Sequence, residues 1–162
     1  MYIFLYAVHN KDVTRKEMSM NKDSIRLLRE CNAGIKMGAS AIAKVMPHVK
    51  DPELKSALGT CRETHNELGS RAHKLLKEAH EDTKSAHPIA QMMSDAKVTM
   101  AVMMGGGDKK IADVMTDGCD MGIKSLNRYL NQYKNADKRS RNLAEELIAS
   151  EEYLELSMRN HL

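Results

Sequence analysis

The chain has 162 residues, 29% of them charged, and a formal net charge of +3, so it can bury the core of one domain beneath a mixed-sign surface. So small a charge, with no basic stripe interleaved with aromatic residues, argues against nucleic acid as a partner. Aromatic residues make up 4%, with no Trp and one Phe, which disfavours base-stacking platforms and carbohydrate clefts; the 13 methionines suit an adaptable core or groove.

Met1 to Ala7 is apolar but far short of the roughly 20 residues of a membrane span. It has neither the positive flank nor the cleavage site of a signal peptide. His9 to Glu17 is polar and charged, and Met18 and Met20 precede the first helical pattern. We read residues 1–20 as a poorly ordered tail, such as an upstream start codon would add, and residues 21–162 as one helical domain. The alternative is a short natural segment packed on that domain.

Asn21 to Ser24 offer capping oxygens for a first helix that runs to about Met46, where Pro47 ends it. The apolar ladder of this first arm is Leu28, Cys31, Ile35, Gly38, Ile42, Val45 and Val49, a 3/4 spacing that falls on one face. Asp51-Pro52-Glu53 is a helix start, with a cap, a proline at the first position and an acid in the first turn. The stripe that follows, Leu54, Leu58, Cys61, His65, Leu68, Ala72, Leu75, Ala79, is broken by His65 alone, and the helix reaches about Asp82.

A polar loop precedes Pro88, which opens a shorter third helix ending near Met104. Its length of about 25 Å suits a crossover that would leave the second and fourth helices parallel. The rival is a plain up-and-down arrangement of five helices. Met93, Met100 and Met103 on this helix read as core rather than as soft-metal ligands. Gly105-Gly106-Gly107-Asp108 is a linker with Asp108 as the next N-cap. No strand precedes it and no Gly-Lys-Ser/Thr follows, so it is no phosphate loop.

The fourth helix carries Ile111, Met115, Cys119, Gly122, Leu126, Tyr129 and Tyr133 to about Asn135. Asp137 caps the fifth, whose stripe Leu143, Leu147, Glu151, Leu154, Met158 includes one acid. Asp117 and Asp120 point off the stripe into solvent. His73, His80 and His87 are two turns apart, about 10 Å, too far to share an ion.

Three cysteines, all on apolar stripes, fit a reducing cytosol. Cys31 and Cys61 lie about 14 Å out of register in a hairpin turning near residue 50 and cannot bridge. Gly34 and Gly38, and Gly118 and Gly122, are small-xxx-small pairs that predict close helix approach, within the chain or across a dimer.

With a crossover, His65, Cys119 and Glu151 fall in neighbouring layers of the core. A lone buried imidazole or carboxylate is unfavourable, so a shared polar layer follows. Its two readings are a hydrogen-bonded His65–Glu151 pair and a mononuclear metal site of His65, Glu151 and Cys119. A third outcome is that the residues do not meet.

The hairpin Val49-Lys50-Asp51-Pro52-Glu53-Leu54-Lys55 and the segment Asp117-Gly118-Cys119-Asp120-Met121-Gly122 resemble bacterial ferritin-like bundle families of unknown function, over roughly residues 20–162. The resemblance implies an all-α, ferritin-like antiparallel four-helix bundle with an additional short crossover helix. Di-iron members of that group use one Glu on each of two helices and Glu-x-x-His on the other two. Here Arg62 stands three before His65, Leu154 stands three after Glu151, and the first helix offers Ile35 and Gly38. At most two of the six ligands remain.

The expectation is a cytoplasmic, non-enzymatic structural, binding or stress-associated protein. It would self-associate, with a dimer favoured, and would need no cofactor. The alternative is a metal-binding or redox protein holding iron or another transition metal at His65, Glu151 and Cys119.

Overall fold

A computed structural model describes residues 20–82, 105 and 107–162. Among them the regular structure is entirely helical: α1 (Lys22–Val45), α2 (Pro52–Glu78), α3 (Gly107–Gln132) and α4 (Lys138–Met158), with single 3-10 turns at Met46–His48 and Arg159–His161. The tail at 1–19 and the short helix expected at 88–104 lie outside the described residues. Met20, expected in the tail, packs against the core.

Three of the four helices start as the sequence dictates. The side chains of Asn21, Asp51 and Asp137 accept from the backbone N–H of Ser24, Leu54 and Ser140 at 2.9, 2.9 and 2.8 Å. Each satisfies an amide that the first helical turn leaves unpaired. Asp108 departs from expectation. It lies inside α3, and its carboxylate instead accepts from the backbone N–H of Lys50 and of Asp51, both at 2.9 Å, fastening the α1–α2 turn to α3.

The end of α2 also differs. The helix stops at Glu78, because His80 takes a left-handed conformation (φ 58°). The N–H of Glu81 then reaches Leu76 O at 2.9 Å and that of His80 reaches Lys77 O at 3.0 Å, a Schellman closure. Leu76 rather than Leu75 takes the fully buried place in the last turn.

These ties set the direction of each helix. Asp108 places the start of α3 beside the α1–α2 turn. At the opposite end, Asn135 N–H donates to Asp23 at 3.1 Å and Asp137 N–H donates to Ser24 Oγ at 2.7 Å. So α2 and α3 run parallel to each other and antiparallel to α1 and α4. α1 packs against α2, α3 and α4, and α4 packs against α2 and α3.

The buried apolar residues form two clusters. One, around Leu28, Ile35, Leu68, Leu76, Leu126 and Leu147, fills the end at which α1 and α4 start. The other, around Ile42, Leu54, Leu58, Ile111, Met115 and Leu154, fills the end at the α1–α2 turn. Each fully buried leucine contributes about 1.5–3 kcal/mol. Between the clusters every helix contributes one non-aliphatic position: Gly38 on α1, His65 on α2, Gly122 on α3 and Glu151 on α4. No helix among the described residues is long and apolar enough to cross a membrane.

Candidate functional site: a His–Glu layer at mid-bundle

The layer is built by register. His65 sits one turn past Cys61 on the buried stripe of α2, and Glu151 sits one turn past Leu147 on that of α4. His65 is 1% exposed, and the Glu151 side chain is 12% exposed. His65 Nε2 lies 3.2 Å from Glu151 Oε1. Its other nitrogen, Nδ1, lies 2.9 Å from the backbone carbonyl of Cys61. Both neighbours are acceptors, so both ring nitrogens are set to donate.

That arrangement decides the charge. Burial alone would favour the neutral ring, but the hydrogen bonds to Cys61 and Glu151, together with the nearby Glu151 carboxyl, outweigh it and push the His65 pKa up to about 10. The direction of that shift favours a protonated imidazole facing Glu151.

Two thiols extend the layer. Cys61 Sγ lies 3.5 Å from His65 Nδ1 and 3.6 Å from Ser150 Oγ, which links α2 to α4. Cys119 is buried and hydrogen-bonded to Glu151; burial and the Glu151 charge raise its pKa far above that of an ordinary thiol. Cys31 lies apart in the other cluster, its pKa pushed up to about 12 chiefly by burial. All three cysteines are free, and Cys31 and Cys119 are held as inert thiols rather than thiolate nucleophiles.

The glycines are shaped around the pair. A Cβ built on Gly38 would fall 2.6 Å from His65 Nε2 and 2.9 Å from Cδ2, closer than atoms can pack. One on Gly122 would stand 3.3–3.5 Å from the Glu151 carboxylate. Close approach is thus real at Gly38 and Gly122, but it is side chain against backbone, between helices of one chain. Gly34 and Gly118 were expected to share it and do not, since a Cβ at either meets nothing within 4 Å. Gly69, which the sequence did not single out, is tight, 3.1 Å from Ile35 Cγ2.

His65, Glu151 and Cys119 are therefore brought together, as a chain that also takes in Cys61. The signal for Cys61 was its i, i+4 spacing to His65; nothing in the sequence marked Ser150. Asp117, Asp120, His73 and His80 are exposed, as expected. His87 and the third-helix methionines lie outside the described residues.

The residues present do not fit a di-iron centre. The layer has one carboxylate and one imidazole, already bonded to each other, and glycine on the remaining two helices. Arg62 is exposed and Leu154 is fully buried among apolar residues. Among the described residues, no group of three or more His, Cys, Asp or Glu is arranged to hold a metal ion. Cys61 Sγ and Glu151 approach different nitrogens of the ring, so one ion bound to the imidazole would not reach both.

No family model matches the chain, and no curated protein matches its sequence. Among solved structures it is similar to a crystal structure of a DUF305 fragment from Deinococcus radiodurans, with a TM-score of 0.70 and 10% identity, over 88% of this chain and 96% of that one. At that identity the likeness is one of fold, an all-helical bundle.

Proposed function

We propose that the chain is a ferritin-like bundle without a di-metal centre, serving as a non-enzymatic structural or binding protein. One observation carries the reading. At mid-bundle, where a di-metal protein gathers its carboxylates and histidines, His65 and Glu151 satisfy each other, and Gly38 and Gly122 leave room for that pair alone. Breaking a buried pair typically costs about 3–5 kcal/mol, so binding a metal there would have to offset that loss. Helix directions compatible with a crossover support the ferritin-like architecture, and three free, buried cysteines accord with a cytoplasmic home. Self-association as a dimer belongs to the same proposal; the mass of the protein in solution tests it.

Metal analysis of the purified protein after incubation with ferrous ion tests the central point. The expected result is less than one tightly bound iron per chain, unchanged in His65→Ala or Glu151→Ala. Two irons per chain, lost in either variant, would overturn the proposal in favour of a metal-binding or redox protein.

A further inference from the structure

The outer side of α1 is unlike that of the other helices. From Cys31 to Ala43 the helix carries one charged residue, Lys36, and is otherwise mostly small or apolar, whereas α4 carries five acids between Leu143 and Glu155. A helix that is apolar all round is a buried helix. Ala33, Met37 and Ser40 recur at i, i+4, i+7 and form one row along α1. Ala33 stands two positions before the buried Ile35, about 200° round the helix, and so faces away from α2, α3 and α4. It is nonetheless only 7% exposed, and Met37 and Ser40 are half-buried.

We propose that this outer row of α1 is a docking surface for residues 83–104 of the same chain, the stretch that links α2 to α3. The inference goes beyond the function proposed above and does not depend on the metal content of the His–Glu layer.

Three observations converge on that surface and that occupant. First, α4 supplies a control, because it packs against α2 and α3 just as α1 does. Its Ala149 stands two positions after the buried Leu147, the same angle round the helix, yet it is exposed, as are Glu152 and Leu156 beside it. The outer positions Glu63, Glu67 and Lys74 of α2 and Asp113, Asp120 and Lys124 of α3 are exposed too. Long neighbouring side chains therefore do not bury an outer alanine, and the cover over Ala33 is particular to α1. Second, both ends of the linking stretch are fastened beside α1. Glu81, just before it, accepts from Arg29 of α1 at 2.7 Å. Asp108, just after it, holds the turn that follows α1 through the N–H groups of Lys50 and Asp51. The chain thus leaves at one end of α1 and returns at the other. The 24 residues between Asp82 and Gly107 match the 24 of α1, so they reach its whole length, about 36 Å, even at helical rise. Residues 1–19 join the bundle at one end only. Third, Ile89 to Met104 carries five methionines and only two charged residues, Asp95 and Lys97. Methionine fills irregular gaps and so suits a surface of small side chains.

The experiment is limited digestion of the full chain with trypsin, the cut sites and their rates read by mass spectrometry. Ala33→Asp and Ser40→Glu place a charge on the outer row of α1, and Ala149→Glu places one on the open row of α4. We expect cleavage after Lys97 to accelerate by roughly tenfold or more in the two α1 variants, because cleavage tracks the population of the opened form. Ala149→Glu should be cut as wild type is, and all three should keep the helical circular dichroism of wild type. Ser40→Glu, at a position already polar, keeps the test readable if Ala33→Asp lowers folding as a whole. An unchanged rate after Lys97 in Ser40→Glu would overturn the proposal, as would equal acceleration in Ala149→Glu. Acceleration after Lys11, Arg15 or Lys16 instead would make residues 1–19 the occupant. A fall in the mass of the protein in solution, with Lys97 unaffected, would make it a second copy of the chain. No outcome alters the iron stoichiometry, so loss of this proposal and loss of the metal-free reading are separately visible.

Discussion

His65 is the residue on which the account turns, and its charge makes the protein's stability depend on pH in a defined direction. Its folded pKa of about 10 lies above the ordinary value of 6.5. A group raised in the folded state contributes stability that is fully present below its unfolded pKa. That contribution is lost as pH rises from about 6.5 through about 10. Urea unfolding between pH 7 and 10 should therefore show a falling midpoint, and Glu151→Gln should flatten the fall. A slope identical in the variant would separate Glu151 from the raised pKa. The glycines supply a test of opposite signs. Gly34→Ala, with open space around its Cβ, should stabilise by up to about 1 kcal/mol through helix propensity. Gly38→Ala, with its Cβ driven onto His65, should destabilise by roughly 1–3 kcal/mol despite the same gain. Thermal unfolding of the two variants reads the difference directly.

At the scale of the helices, the sequence carried the starts better than the ends. Asn21, Asp51 and Asp137 act locally, through their own first turns, and local rules find them. Asp108 does not, because its partners, Lys50 and Asp51, lie in a turn that only the folded chain brings near. Removing two charge-assisted bonds at once, Asp108→Ala should cost about 2–3 kcal/mol; a loss under a few tenths in denaturant unfolding would assign that turn's stability elsewhere. The end of α2 was missed because nothing forbids a helix from continuing through Ala79 and His80, and only the left-handed φ of His80 stops it. Glycine is the natural residue at such a position. His80→Gly should accordingly raise the melting temperature by a few degrees or less, since about 1 kcal/mol moves a chain of this size by roughly 2–4 °C.

At the scale of the whole molecule, the four-helix core was legible because its stripes are long and interrupted only by residues that meet one another. Counting turns from each helix end placed His65 and Glu151 at one height. It could not reveal that Gly38 and Gly122 occupy that height on the other two helices, since helix-to-helix register depends on caps and turns far away in sequence. Nor could spacing say whether His65, Glu151 and Cys119 would converge on an ion or bond in a line. That depends on where each ring nitrogen points, and the Cys61 carbonyl and the Glu151 carboxylate take both.

The most direct test of this closed layer is the melting temperature of metal-stripped protein with and without excess ferrous or zinc ion. A ligand that binds only the folded chain raises it, by about 2.7 kcal/mol of stabilisation at a hundredfold excess over its dissociation constant. The account predicts no change, in wild type or in Glu151→Gln. A rise of several degrees in wild type that disappears in Glu151→Gln would contradict it.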